Sequence, residues 1–228
     1  MNICGLQKLT LLDFPGHTAC TVFTGGCNLR CPFCHNASLV KGGAEKLAEG
    51  ELWGFLKKRA GLLDGVCISG GEPLLQQDIG DFIAELKKLG YKVKLDTNGT
   101  LPQHLVVLLE KGLLDYVAMD LKNSPELYPK TVGKADFDFE SVAESMELLR
   151  TNRVPYEYRT TLVKPLHSKE SLMSLAALIR PDEHWFLQQY IDSGDILGSG
   201  MEAFTPEEMK AFLLELQPLL PMCSLRGL

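Results

Sequence analysis

Strand-like and helix-like segments alternate six times along this 228-residue chain, and the alternation leaves few folds open. Residues 18–24, 65–69, 92–95, 116–121, 155–163 and 184–190 are short and rich in β-branched, aromatic or aliphatic side chains. Each is followed by an amphipathic stretch of helical period, at 44–60, 78–89, 102–111, 138–151, 168–179 and 206–216. Gly90 and Gly112 stand just past the ends of two of these helices, where a left-handed residue closes a helix. Strands separated by helices cannot pair as hairpins, so they predict a parallel sheet with crossover helices. Six such units after an N-terminal extension (residues 1–17) predict an α/β fold, a partial, open (β/α)6 barrel of TIM-barrel-like kind over residues 18–228. A closed eight-unit barrel takes about 250 residues. No linker, repeat or low-complexity run divides the chain, so one domain over 1–228 is expected.

In such a barrel the loops at the carboxyl ends of the strands build the active site. The first carries Gly25-Gly26-Cys27-Asn28-Leu29-Arg30-Cys31-Pro32-Phe33-Cys34-His35-Asn36. Cys27, Cys31 and Cys34, spaced C-x-x-x-C-x-x-C, read as ligands of a [4Fe–4S] cluster; four irons on three thiolates leave one iron open to a small molecule. Leu29 and Phe33 suit the shielding of an inorganic core. The segment Cys31–His35 also matches C-x-x-C-H, but haem attachment would leave Cys27 idle and requires export, for which no signal peptide is visible. A Cys3His zinc site using His35 has suitable donors, yet neighbours at 34 and 35 are awkward to aim at one tetrahedral ion. Seven cysteines, an odd number, argue against a disulfide framework. Cys4, Cys20, Cys67 and Cys223 are isolated in sequence and read as small buried hydrophobes.

The other strand ends carry motifs too. Ser69-Gly70-Gly71-Glu72-Pro73 follows the second strand, Asp96-Thr97-Asn98-Gly99 the third, and Met119-Asp120-Leu121-Lys122 closes the fourth. Asp120 and Lys122 share one strand face, as do Glu157, Arg159 and Thr161. A net charge of −6 lacks the basic footprint of a nucleic-acid binder. No apolar run reaches the roughly 18 residues of a spanning helix. Neither nucleic acid nor membrane is an expected partner, and the cytoplasm is the expected location.

The cysteine spacing resembles that of the radical S-adenosylmethionine (SAM) enzymes. The wider string, Gly5-Leu6-Gln7-Lys8 through Leu12-Asp13-Phe14-Pro15-Gly16 to Cys34-His35-Asn36, resembles one branch, the activating proteins of anaerobic ribonucleoside-triphosphate reductase and related glycyl radical enzymes. The resemblance implies one [4Fe–4S] cluster per chain and SAM bound at its open iron. It implies SAM contacts for Gly70, Gly71 and Glu72, for Asp96, Thr97 and Asn98, and for Lys122 beside Asp120, the lysine facing the SAM carboxylate. Asp120 and Lys122 also have a plain reading as a structural ion pair. Arg159 is expected either to reach SAM or to pair with Glu157, and His167 and Gln188 are expected in the wall of the site. Residues 13–16 fit either a docking rim or a hairpin turn.

The implied reaction is one-electron cleavage of SAM to methionine and a 5′-deoxyadenosyl radical, which removes hydrogen from a glycine of the partner reductase. The implied partners are that glycyl radical protein and an external single-electron donor such as flavodoxin or ferredoxin. Two other classes stay open: a radical SAM enzyme acting on a small molecule, and a zinc-stabilised, non-enzymatic binding module.

Overall fold

Six parallel strands form the centre of the structure, a computed structural model that describes residues 1–151 and 154–228. They are β2 (Ala19–Thr24), β3 (Gly65–Gly70), β4 (Lys92–Thr97), β5 (Tyr116–Asp120), β6 (Tyr156–Lys164) and β7 (Trp185–Gln189), paired in sequence order. All six coincide with expected strands to within a few residues. Two further strands extend the sheet. β1 (Ile3–Thr10), within residues 1–17, pairs antiparallel with β2, and β9 (Cys223–Arg226) adds a seventh parallel strand beside β7. A two-residue β8 (Glu202–Ala203) pairs with β6 outside this order. The path ends at β1 on one side and β9 on the other, so the barrel is laterally open there.

Period-two alternation divides each strand between two environments. Val22, Val66, Ile68, Val93, Leu95, Val117 and Leu187 join the buried core beneath the helices. The alternate set, including Thr21, Phe23, Ser69, Asp96, Arg159, Thr161 and Gln188, lines a cavity inside the barrel. The helices close the outer layer with apolar stripes: Leu52 and Leu56 of α2 (Glu49–Arg59), Ile83 and Leu86 of α3 (Ile79–Lys88), Leu105 and Leu108 of α4 (Pro102–Glu110). Val142, Met146 and Leu149 of α6 (Glu140–Thr151) continue the layer. α7 (Lys169–Ala176) and α8 (Pro206–Leu216) complete it, each opened by a capping box, Ser168 with Ser171 and Thr205 with Glu208. Truncating a fully buried member such as Leu86 to Ala costs about 2–5 kcal/mol.

Short helices α1 (Ala37–Lys41) and α5 (Tyr128–Val132) sit in the loops after β2 and β5. The helix expected over 44–60 begins only at Glu49, because the backbone N–H of Leu47 donates to the carbonyl of Ile3 on the β1 edge (2.8 Å). Phe14 is buried against the start of β3, where a Cβ on Gly65 would stand 2.8 Å from its ring. Phe14 therefore packs at the amino end of the barrel, away from any rim at the opposite mouth. The N–H of His17 donates to Phe14 O, so residues 14–17 form the turn. No described helix is long and apolar enough to cross a membrane.

Candidate active site

Cys27, Cys31 and Cys34 line one cavity of about 370 Å3 at the carboxyl ends of the strands. Gly25 and Gly26 lead into the cysteine loop, and the next strand end fits against them. The N–H of Glu72 donates to Gly26 O (2.9 Å), and a Cβ on Gly71 would stand 1.8 Å from that oxygen. Gly70 adopts φ +112°, a conformation that side chains disfavour. Leu29 and Phe33 are buried beside the thiols, and the N–H of Leu29 faces Cys27 Sγ at 3.4 Å. Burial pushes the Cys31 thiol up to about 12, opposed by the Lys122 ammonium, and burial likewise raises Cys27.

Thiols, the soft donors an iron–sulfur cluster requires, thus converge with an apolar lining, and this donor set fits a cluster bound at separate iron corners. Among the described residues no three His, Cys, Asp or Glu side chains meet at single-ion distances.

The same cavity gathers Gly70, Gly71, Asp96, Thr97, Asn98, Asp120, Lys122, Arg159 and Gln188 from five strand ends. Five charges form an alternating row across β4, β5 and β6. Lys94 contacts Asp96, Arg159 Nη1 reaches Asp96 Oδ2 (3.2 Å), Arg159 Nε reaches Asp120 Oδ1 (2.9 Å), and Lys122 Nζ reaches Asp120 Oδ2 (2.9 Å). Within the row three cations alternate with two carboxylates, Lys122 ends it on Asp120, and Asp13 adds a further carboxylate to the same cavity. Burial pushes Asp96 up, but Arg159 and Lys94 hold it well below the usual carboxylate range. Burial works against the Lys122 charge as well, yet Asp120 keeps its ammonium above the ordinary lysine range.

Three expectations need correction. Arg159 does not pair with Glu157; that carboxylate is taken by Arg226 of β9 (2.7 and 3.1 Å) and by Tyr116 (3.0 Å). Glu72 does not line the cavity. It is fully buried and accepts from Leu74 N–H, Thr97 Oγ1 and Asn98 N–H (3.1, 2.9 and 2.7 Å), tying two strand-end loops together. Burial raises it to about 7 despite these donors. His167 stands behind the wall: its Nε2 meets Lys122 O at 2.8 Å and its Nδ1 accepts from Val163 N–H at 3.1 Å. Of the isolated cysteines, Cys20, Cys67 and Cys223 are buried, while Cys4 is partly exposed.

Sequence reasoning missed Lys94, Asn28 and Ser69. Lys94 is 1% exposed, two residues before Asp96 on the same strand face, and that i, i+2 spacing was the available signal. Ser69 Oγ donates to Asp96 (3.0 Å). Asn28 accepts from Asn98 Nδ2 (3.0 Å) and donates to Thr100 (2.7 Å), which binds the third strand end to the cysteine loop. Asp13 also enters the cavity, accepting from Thr21 Oγ1 (2.5 Å).

Residues 21–179 match the Radical SAM superfamily. A Methanocaldococcus jannaschii protein named "Putative glycyl-radical enzyme activating enzyme" is 32% identical over 82% of this chain and 79% of its own. The pyruvate formate-lyase-activating enzyme of Clostridium pasteurianum is 31% identical over 78% of this chain and 76% of its own. In fold, the chain is similar to Streptococcus suis SuiB bound to S-adenosylmethionine (TM-score 0.63, 18% identity, 89% of this chain and 48% of that one). With the match spanning β2 to α7, and the thiols and strand-end motifs facing one cavity, the chain belongs to the radical SAM superfamily, enzymes whose cofactors are a [4Fe–4S] cluster and SAM.

Proposed function

We propose that Cys27, Cys31 and Cys34 hold the single cluster, and that this chain installs a glycyl radical on a partner protein, the anaerobic ribonucleoside-triphosphate reductase. The observation that carries the reading is the placement of three thiols and the linked ion pairs of Arg159, Asp120 and Lys122 in one cavity of a laterally open barrel. Two relatives named as activating enzymes, each aligned over more than three quarters of this chain, support the activase branch. When bound, the cluster and SAM supply one-electron reductive cleavage of the SAM carbon–sulfur bond.

The protein's own residues bind and orient. Lys122, held in place by Asp120, receives the SAM carboxylate, and the carbonyls of the Gly70-Gly71 turn receive its ammonium. Thr97, Asn98 and Gln188 form the walls. Asp96 and Arg159 contribute by fixing the strand ends, since their polar atoms are already engaged by each other and by Lys94, Ser69 and Asp120. The gap between β1 and β9 admits an extended peptide segment. Residues 1–228 act as one unit in the cytoplasm, and flavodoxin or ferredoxin delivers the electron.

The test is anaerobic turnover with reductant and SAM, with the candidate reductase added or omitted. Reductant-dependent 5′-deoxyadenosine together with a glycyl doublet on the reductase, read by electron paramagnetic resonance, supports the proposal. Turnover of a small metabolite with no radical on the reductase would overturn it in favour of small-molecule chemistry.

A further inference from the structure

Each spacer of the cysteine loop is pinned from outside by the backbone of a different strand-end loop. In the first spacer, the N–H of Arg30 donates to Val132 O (2.8 Å) at the end of α5, and Gly133 follows so closely that a Cβ there would stand 2.4 Å from Arg30 O. In the second, the N–H of Gly198, in the loop after β7, donates to Pro32 O (2.8 Å), and a Cβ on Gly198 would stand 2.7 Å from Pro32 Cβ. The same loop holds the exit from the triad. Asp195 Oδ2 accepts from Ser38 N–H (3.1 Å) and Ser38 Oγ (2.7 Å), Asp195 O accepts from Ala37 N–H (3.2 Å), and Ser193 Oγ donates to His35 O (3.1 Å). These contacts lie on either side of Cys31 and Cys34 in sequence, so they set the path of the backbone that carries both thiols.

We propose that Asp195 and Gly198 are positioning residues for the Cys27, Cys31 and Cys34 triad, a clasp that fixes the spacing of the thiols from the far side of the barrel. The inference rests on the assignment of those thiols to the cluster. A cluster held by three ligands depends on all three being presented at once, so a loosened spacer shows first as faster iron loss. Gly198 is the cleaner probe. Gly133 has φ +65°, so a side chain there adds backbone strain, whereas Gly198 has no positive φ and an added Cβ acts only by displacing Pro32. Asp192 serves as the control, because among the described residues its carboxylate bonds only Gly194 N–H within its own loop (2.8 Å).

Anaerobically reconstituted Gly198→Ala, Asp195→Ala, Asp192→Ala and Cys31→Ala proteins are challenged with an iron chelator, and the melting temperature of each apoprotein is measured alongside. The expected result is iron release about tenfold faster than wild type for Gly198→Ala and Asp195→Ala, the size typical of residues that orient metal ligands. Asp192→Ala stays at the wild-type rate, and the apoprotein melting temperatures stay unchanged. Asp195→Asn, which keeps one acceptor oxygen for Ser38, falls between wild type and Asp195→Ala. Wild-type release from both Gly198→Ala and Asp195→Ala overturns the clasp, as does equal lability of Asp192→Ala or release that merely follows a lowered melting temperature. Retention of iron by Cys31→Ala overturns the thiol assignment instead, so the two failures are told apart.

Discussion

Arg159 Nε donates to Asp120 Oδ1 at 2.9 Å, and the two are the middle links of the charge row that joins β4, β5 and β6 inside the cavity. Removing the guanidinium would leave Asp96 and Asp120 without their shared cation in a largely buried site. Breaking a buried pair from one side costs about 3–5 kcal/mol. Arg159→Met is therefore expected to lose roughly that much in urea denaturation of the apoprotein at neutral pH, and Arg159→Lys less. A loss no larger than that of an exposed surface pair would show that the row is not a structural unit.

Lys122 and Asp96 separate under mutation. Lys122 ends the row with one carboxylate partner, so Lys122→Ala is expected to keep the cluster absorbance and weaken SAM binding about tenfold, the worth of a charge-assisted contact. Asp96 faces both Lys94 and Arg159, so Asp96→Asn is expected to lower the melting temperature of the apoprotein before any SAM is added. Equilibrium dialysis with SAM and thermal melts of the two variants check this. Unchanged SAM affinity in Lys122→Ala would remove that lysine from the site.

His167 predicts a pH signature. Burial holds its imidazole below the ordinary histidine range, so the folded chain binds fewer protons there than the unfolded chain does. Its contribution is complete above the unfolded value of about 6.5 and is lost as pH falls below it. His167→Gln can replace the acceptor toward Val163 N–H and the donor toward Lys122 O. The stability gap between wild type and His167→Gln is expected to shrink as pH drops from 7.5 to 5.5, roughly one unit either side of that value. A constant gap would mean that His167 does not titrate differently on folding.

Gly71→Ala forces a methyl group against Gly26 O and is expected to displace the cysteine loop, with loss of bound iron after reconstitution. Gly54→Ala, in α2 with nothing within 4 Å of the added carbon, is expected to keep the iron and gain about 0.5–1 kcal/mol. Full iron content in Gly71→Ala would show that the contact yields freely.

The barrel was legible because its strands obey a local rule. Val66, Ile68, Val93 and Leu95 alternate with polar or small residues, and the motifs follow directly at the strand ends. The partners of the charged residues were not legible. Arg159 and Glu157 share a strand face, yet Glu157 bonds Arg226, 69 positions away on a strand that shows no distinctive pattern, and Arg159 turns toward the two aspartates. Such choices depend on strand order and register, not on spacing along one segment. The resemblance implies a SAM contact for Glu72, and the chain position of His167 suggests the wall, but neither side chain lines the cavity. Both serve the backbone of neighbouring loops, a role with no local signature.

Iron and acid-labile sulfide per chain, measured after anaerobic reconstitution of wild type, Cys27→Ala, Cys31→Ala, Cys34→Ala and Cys67→Ala, test the central claim most directly. The account predicts about four of each in wild type and in Cys67→Ala, with the cluster absorbance lost in every triad variant. Retention of about four irons by the three triad variants, or about eight irons in wild type, would contradict it.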